Sequence, residues 1–396
     1  MKTLVQEKVG QASGILRELG IDCWLTFVRE SSINGDSILD FILGADVTWH
    51  SAFIVTSGGE AHAIVGRYDR KTVEDTGAYG RVLDYVEAWR PLLQESLKSL
   101  SPSKIAINYS EESEICDGLT HGMYLVLCAC LREIGLEDRL VSAERVISAL
   151  RQRKTPQEIE RIRGAISAAE RIFESARSFI AAGRTEGEIA DFMKSHVKDA
   201  GLGLAWGEAT CPSVFTGPAT AEAHYKPTER KVREGDVLNI DFGVKWEGYC
   251  SDLQRTFYIL RKGERAAPPE VERGFDAIRE SIELARKAIR PGANGQQVDA
   301  VARNYLLAHG YEEFPHALGH QVGRFPHDGT ALLGPSWEKY GRKPFAEIEA
   351  GMVFTIEPRL TVPDRGIVTV EEMVVVRDAG AEFLSGPQRD LWLVGG

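Results

Sequence analysis

The stretch Val237-Leu238-Asn239-Ile240-Asp241-Phe242-Gly243-Val244, then Lys245-Trp246-Glu247-Gly248, then Tyr249-Cys250-Ser251-Asp252-Leu253-Gln254-Arg255-Thr256-Phe257-Tyr258 has strand-like flanks around a short loop. It reads as an antiparallel hairpin. With a four-residue loop, Val244 pairs with Tyr249 and Asp241 falls opposite Asp252, where Cβ atoms lie about 5 Å apart. A second hairpin, Met352 to Leu360 and Ile367 to Val375 around Pro363-Asp364-Arg365-Gly366, repeats the pattern. Pairing Thr361 with Ile367 across a five-residue connection (362 to 366) brings Glu357 opposite Glu371, and parity turns Glu372 to the other face. A single acid in a strand is ordinarily solvated or ion-paired. Two register-matched pairs among apolar residues are different, because four ionised carboxylates in a core are prohibitively costly unless neutralised, and two divalent cations neutralise them.

Between the hairpins lies His316-Ala317-Leu318-Gly319-His320-Gln321-Val322-Gly323-Arg324-Phe325-Pro326-His327-Asp328, which places three of the chain's nine histidines within twelve residues. Its glycines permit close backbone approach. One imidazole with four carboxylates is an oxygen-rich donor set suited to Mn²⁺, Co²⁺ or Zn²⁺ and poorly suited to soft copper.

Outward from this region, the 396 residues, 43% hydrophobic and 27% charged, suffice for two globular domains. The first reads as α/β: a helix over 9–19 and strands over 22–27, 52–56, 61–65 and 104–108. At Thr155-Pro156-Gln157-Glu158 a Thr N-cap, a Pro at the first helical position and a Glu at the third open a long helix. This places the domain boundary at about residue 153, giving domains 1–153 and 154–396. The second part is α+β, with helices over 156–181, 185–200, 269–289 and 295–309. The helices after Thr185 and Asn294 share a turn-helix pattern that hints at internal duplication.

No apolar stretch approaches the roughly 20 residues of a spanning helix, and the start, Met1 to Glu7, lacks a signal peptide's apolar core. Six scattered cysteines form no CxxC pair, so a reducing cytoplasm is expected rather than a disulfide framework. A net charge of -11 disfavours nucleic acid and anionic membrane as partners.

The ordered set Asp241, Asp252, His320, Glu357 and Glu371 resembles the five metal ligands of the pita-bread metallopeptidases, which include methionine aminopeptidase, aminopeptidase P and prolidase, with creatinase as a non-metal relative. The resemblance runs from about Lys154 to the end, and the first domain resembles the creatinase-type domain of aminopeptidase P and prolidase. It implies an α/β creatinase-like N-terminal domain, an α+β pita-bread catalytic domain, and two divalent ions per subunit, Mn²⁺ foremost. The implied activity is that of an Xaa-Pro dipeptidase, a metal-bridged hydroxide attacking the scissile carbonyl of short proline-containing peptides. Asp241 and Glu371 are then the bridging ligands, and Glu357 is both ligand and general base. His224, 17 residues before Asp241, and His316 and His327 match histidines of the substrate pocket; His224 and His327 would hydrogen-bond the carbonyl oxygen as charge develops. Thr256 is a candidate partner for the Asp252 region or, equally, a packing residue of the strand.

Two places depart from the family pattern. Thr369 stands where proline-directed members commonly carry Arg, with Arg324, Arg359 and Arg365 as possible substitutes, and Gly217 to Glu222 replaces an Asn-Ala-containing segment. Aminopeptidase P action on longer peptides is the near alternative. A creatinase-like C–N hydrolase and a pita-bread binding module are disfavoured by the full ligand set. A homodimer is expected from the resemblance.

Overall fold

The computed structural model describes residues 3–218 and 225–395, and its chain divides into two compact units, Met1–Arg151 and Gln152–Gly396. In the first, a six-stranded mixed sheet runs in the order Arg81–Tyr85, Ala61–Gly66, Ser51–Thr56, Cys23–Val28, Ile105–Ile107, Leu140–Ser142. Alternation along the central strand feeds two separate cores. Trp24 and Val28 pack with Ala12, Leu16, Val146 and Leu150 of the helices Leu4–Leu19 and Glu144–Gln152. Cys23, Leu25 and Phe27 pack with Leu93, Leu97, Leu127 and Leu131 of Arg90–Leu100 and His121–Arg132. A strand buried on both faces explains the unbroken apolar run read in the sequence. This is a three-layer α/β unit, and all six cysteines of the chain are free thiols.

The second unit opens with the helix Pro156–Phe179, whose capping box is formed by Thr155 and Glu158 as the sequence predicts. Glu186–Asp199, Pro269–Ala288 and Gly295–Ala308 follow the expected helical periods closely. Thr185 and Asn294 both cap their helices with reciprocal boxes, and both form an isolated antiparallel bridge to a later segment, at Lys231 and Glu347. The structural correspondence strengthens the hint of duplication. One sheet orders Trp392–Val394, Leu253–Ile259, Val237–Phe242 and Ser213–Thr216; another orders Val353–Ile356, Glu372–Arg377 and Gly380–Phe383. A bridge between Gln254 and Glu371 ties the two together.

The first hairpin corrects the expected register. Trp246 pairs with Tyr249, so the loop is the two residues Glu247 and Gly248, both at positive φ (46° and 82°). These are the signs a primed two-residue turn requires. The partner of Asp241 is therefore Gln254, not Asp252. A shift of two residues preserves the face, so Asp252 remains on the side of Asp241. In the second hairpin Thr361 does pair with Ile367, and the register that joins Arg359 to Thr369 and Ile356 to Glu372 sets Glu357 against Glu371.

Glu372 faces the opposite way, as parity requires. It meets the buried Arg255 at 3.2 Å and accepts hydrogen bonds from Ser385 Oγ and Gln388 N. Arg255 also donates to the carbonyls of Gln254 and Glu371, both at 2.9 Å. A cation thus clasps the two acidic strands from behind while leaving the carboxylates on the front face unpaired with it.

The turn assignment is directly testable. Gly248→Ala places a Cβ at φ 82° and is expected to cost about 1–2 kcal/mol. Urea unfolding of the second unit, followed by tryptophan fluorescence, measures it; an unchanged midpoint would favour the longer loop.

Candidate metal centre

Four strands and one glycine-flanked segment deliver the site. Asp241 comes from Val237–Phe242, Asp252 from just before Leu253–Ile259, Glu357 and Glu371 from the ends of the second hairpin, and His320 from Gly319–His320. Gly319 is required because a Cβ there would lie 2.0 Å from the Thr355 carbonyl oxygen. The close approach lets His320 N donate to Thr355 Oγ1 at 3.1 Å. His320 Nδ1 faces the Gln321 carbonyl at 3.5 Å, which leaves Nε2 directed at Glu357 Oε1 (3.4 Å) and Asp252 Oδ2 (3.8 Å). Ligating atoms of Asp252, His320 and Glu371 all lie within 4.8 Å of one another.

Electrostatics bind the fourth carboxylate to the group. Burial pushes Asp241 up to about 7. Burial also holds Asp252, Glu357 and Glu371 well above the usual carboxylate range, and charge repulsion adds to it: Asp241 acts on all three, and Glu357 acts on both Asp252 and Glu371. Asp241 Oδ1 and Glu371 Oε1 are buried and, among the described residues, have no hydrogen-bond partner. Unsatisfied buried acceptors within an acidic cluster fit divalent cations well, since cations both neutralise the repulsion and occupy the orphaned lone pairs. The donor set therefore fits a metal pair.

The remaining candidates fall in different places. His327 packs against His320, ring centroids 4.1 Å apart and inclined by 59°. His316 is set against Phe314 and bonds the Ala317 carbonyl through Nδ1 at 2.8 Å; burial depresses it to about 4, so it is neutral at pH 7. His224 lies outside the described residues. Thr256 makes no bond to Asp252: its single hydroxyl proton lies between Asn239 Oδ1 (2.6 Å) and the Thr369 carbonyl, joining strands on the site's face beyond Gln254. Of the three arginines considered as substitutes at Thr369, Arg365 is engaged by Glu270, Arg324 lies over the Tyr249 ring, and the charge of Arg359 acts on His316.

Two supports were not read from the sequence. Gln254 Nε2 donates to Glu357 Oε2 at 3.2 Å, and Thr369 Oγ1 bonds Gln254 Oε1 at 3.1 Å. The signal was available, because Gln254 lies two residues beyond Asp252 on one strand and so shares its face. Asp299 and Arg303, one helical turn apart on Gly295–Ala308, form a bidentate pair at 2.7 Å; Arg303 donates to the carbonyls of Phe314 and His316, and Asp299 accepts from Leu318 N. They fix the segment leading into His320.

The chain belongs to metallopeptidase family M24, whose model matches residues 160–378. It is 30% identical over 247 residues to an uncharacterised peptidase of Staphylococcus saprophyticus, an alignment covering 62% of this chain and 66% of that one. Among solved structures it is similar over its full length to an X-Pro aminopeptidase from Thermotoga maritima, at 26% identity and a TM-score of 0.71 with complete coverage of both chains. It is also similar to a dipeptidase, PepE, from Mycobacterium ulcerans, at 25% identity and a TM-score of 0.73, covering 99% of this chain and 98% of that one. The N-terminal α/β unit and the C-terminal M24 unit are thus the architecture of these peptidases. Among the described residues no helix is long and apolar enough to cross a membrane.

The raised carboxyls make metal-free stability depend on pH. A carboxyl at about 7 when folded, against about 4 when unfolded, stays protonated longer in the native state. Stability then falls as pH rises from about 4 to 7, since the folded state binds more protons throughout that window. Metal-stripped protein is expected to melt lower at pH 7.5 than at pH 5, with Mn²⁺ restoring the loss at pH 7.5; Asp241→Asn should flatten the slope in thermal melts.

Proposed function

We propose that this metallopeptidase hydrolyses Xaa-Pro bonds with two divalent ions per chain, Mn²⁺ foremost, and acts as an Xaa-Pro dipeptidase. The observation that carries this reading is the mutually repelling group of Asp241, Asp252, Glu357 and Glu371 at the His320 segment, with two buried acceptor atoms that no described residue satisfies. Asp241, Asp252, His320, Glu357 and Glu371 would hold the ions. When bound, such a pair brings the pKa of water toward neutrality and polarises the scissile carbonyl.

The chain's own residues do the rest. Glu357, held at one oxygen by Gln254 and facing His320 with the other, takes the proton of the attacking water and returns it to the leaving amine. His327, whose ring packs on His320, would donate a hydrogen bond as negative charge develops on the carbonyl oxygen. His316, neutral and shielded, shapes the substrate pocket, while His224 keeps its substrate role on sequence grounds alone. A homodimer and a cytoplasmic setting belong to the same reading.

Aminopeptidase P action on longer peptides is the second reading, and the full-length similarity to an X-Pro aminopeptidase supports it. Hydrolysis of Ala-Pro, Ala-Pro-Ala and Ala-Ala by Mn²⁺-supplemented protein, with metal-stripped protein as blank, separates the two. Ala-Pro is expected to be cleaved and Ala-Ala left intact. Preference for the tripeptide would transfer the assignment to an aminopeptidase, and Ala-Ala cleavage would contradict proline specificity. Glu357→Gln is expected to lower kcat by about 10²-fold or more, the loss typical of a missing acid–base group.

A further inference from the structure

We propose that Gln254, its amide fixed by Thr369, is the positioning residue that orients Glu357 within the acidic group; the inference rests on the two-metal reading above. Gln254 occupies the centre of the group. It pairs across the strands with Asp241, its carbonyl accepts from Glu371 N at 3.2 Å, and its side chain donates to Glu357 Oε2 at 3.2 Å. The side chain is buried, so solvent cannot replace any of these bonds.

The chemistry fixes which way the amide points. In the ionised form that receives cations, the Glu357 carboxylate only accepts, so the NH₂ faces Glu357 and the carbonyl oxygen faces Thr369. Thr369 Oγ1 lies 3.1 Å from that carbonyl oxygen and 3.1 Å from the Pro358 carbonyl, so its one proton is shared between the amide and the residue next to Glu357. Thr369 is held in turn by its backbone N–H, which donates to Thr256 Oγ1 at 3.2 Å. With Oε2 occupied by the amide, Glu357 presents Oε1 toward His320 Nε2 at 3.4 Å.

A neutral donor is the group this position needs. A lysine or arginine would neutralise the carboxylates and compete with divalent cations for them, and a second acid would add to the repulsion. An amide orients one carboxylate while leaving the charge of the group to the ions. Thr369, where a charged arginine is the family expectation, therefore works through hydrogen bonds alone.

Three variants test this: Gln254→Met, which keeps the side chain's length without a strong donor, Thr369→Val, and the double variant. Each is stripped of metal, titrated with Mn²⁺ by calorimetry, and assayed for peptide turnover. Loss of an outer-shell partner typically lowers metal affinity about 10–100-fold. Gln254→Met is expected to weaken Mn²⁺ binding about tenfold and to lower kcat about tenfold with KM within about twofold. Thr369→Val should produce a smaller loss of the same kind, and the double variant should be no worse than Gln254→Met, because the hydroxyl acts through the amide.

Wild-type Mn²⁺ affinity and kcat in Gln254→Met would overturn the inference, as would losses that multiply in the double variant. A lower melting temperature of the metal-free protein with unchanged affinity and kcat would reduce Gln254 to a packing role and overturn it too. Should Gln254→Met fail to fold, Thr369→Val decides by the same readouts: about threefold weaker binding supports the inference and unchanged binding overturns it. Failure of the wild type itself to take up Mn²⁺ would instead overturn the two-metal reading.

Discussion

Mutual repulsion among Asp241, Asp252, Glu357 and Glu371 is the constraint on which the second unit depends. Two unit charges 4 Å apart repel by about 4 kcal/mol even at an effective dielectric of about 20. All four groups are pushed toward the protonated form by burial, and the repulsion among them drives Asp252, Glu357 and Glu371 further. A fold that tolerates this arrangement gives up stability, and such sacrifices concentrate at functional sites. Cations convert the same arrangement from a cost into a binding site.

The protein confines that cost to one face of two hairpins. The adjacent residues Glu371 and Glu372 show how: one joins the acidic group with an unsatisfied oxygen, and the other is fully paired with Arg255, Ser385 and Gln388. Alternation along a strand is sufficient to give neighbouring acids opposite fates. Behind the site Arg255 ties the hairpins together; on the site's own face Thr256 does so beyond Gln254, and the Asp299–Arg303 pair fixes the histidine segment. None of these supports adds a cation to the front face, so charge neutralisation there is left to bound ions.

Much of this was legible in the sequence because periodicity and parity survive small errors of register. The first hairpin's loop was misjudged, since Glu247-Gly248 lacks the Asn-Gly or Asp-Gly signature that marks a two-residue primed turn. The error amounted to two residues, which left Asp241 and Asp252 on one face. The long helices were legible from their periodicity and from the cap at Thr155, while the caps at Thr185 and Asn294 emerged from the structure. The face of Gln254 was legible from its spacing to Asp252, but its link to Thr369 was not, because that link arises from a bridge between two hairpins more than a hundred residues apart. The partner of Thr256 was hidden for the same reason: Thr369 is distant in sequence and close in space.

The most direct measurement is calorimetric titration of metal-stripped protein with Mn²⁺ at pH 6.5, in two buffers of different ionisation enthalpy, so that ions bound and protons released are counted together. The account predicts two ions per chain and a net release of protons, because carboxyls held protonated by burial and repulsion must ionise to receive them. Binding without proton release, or no uptake at all, would contradict it.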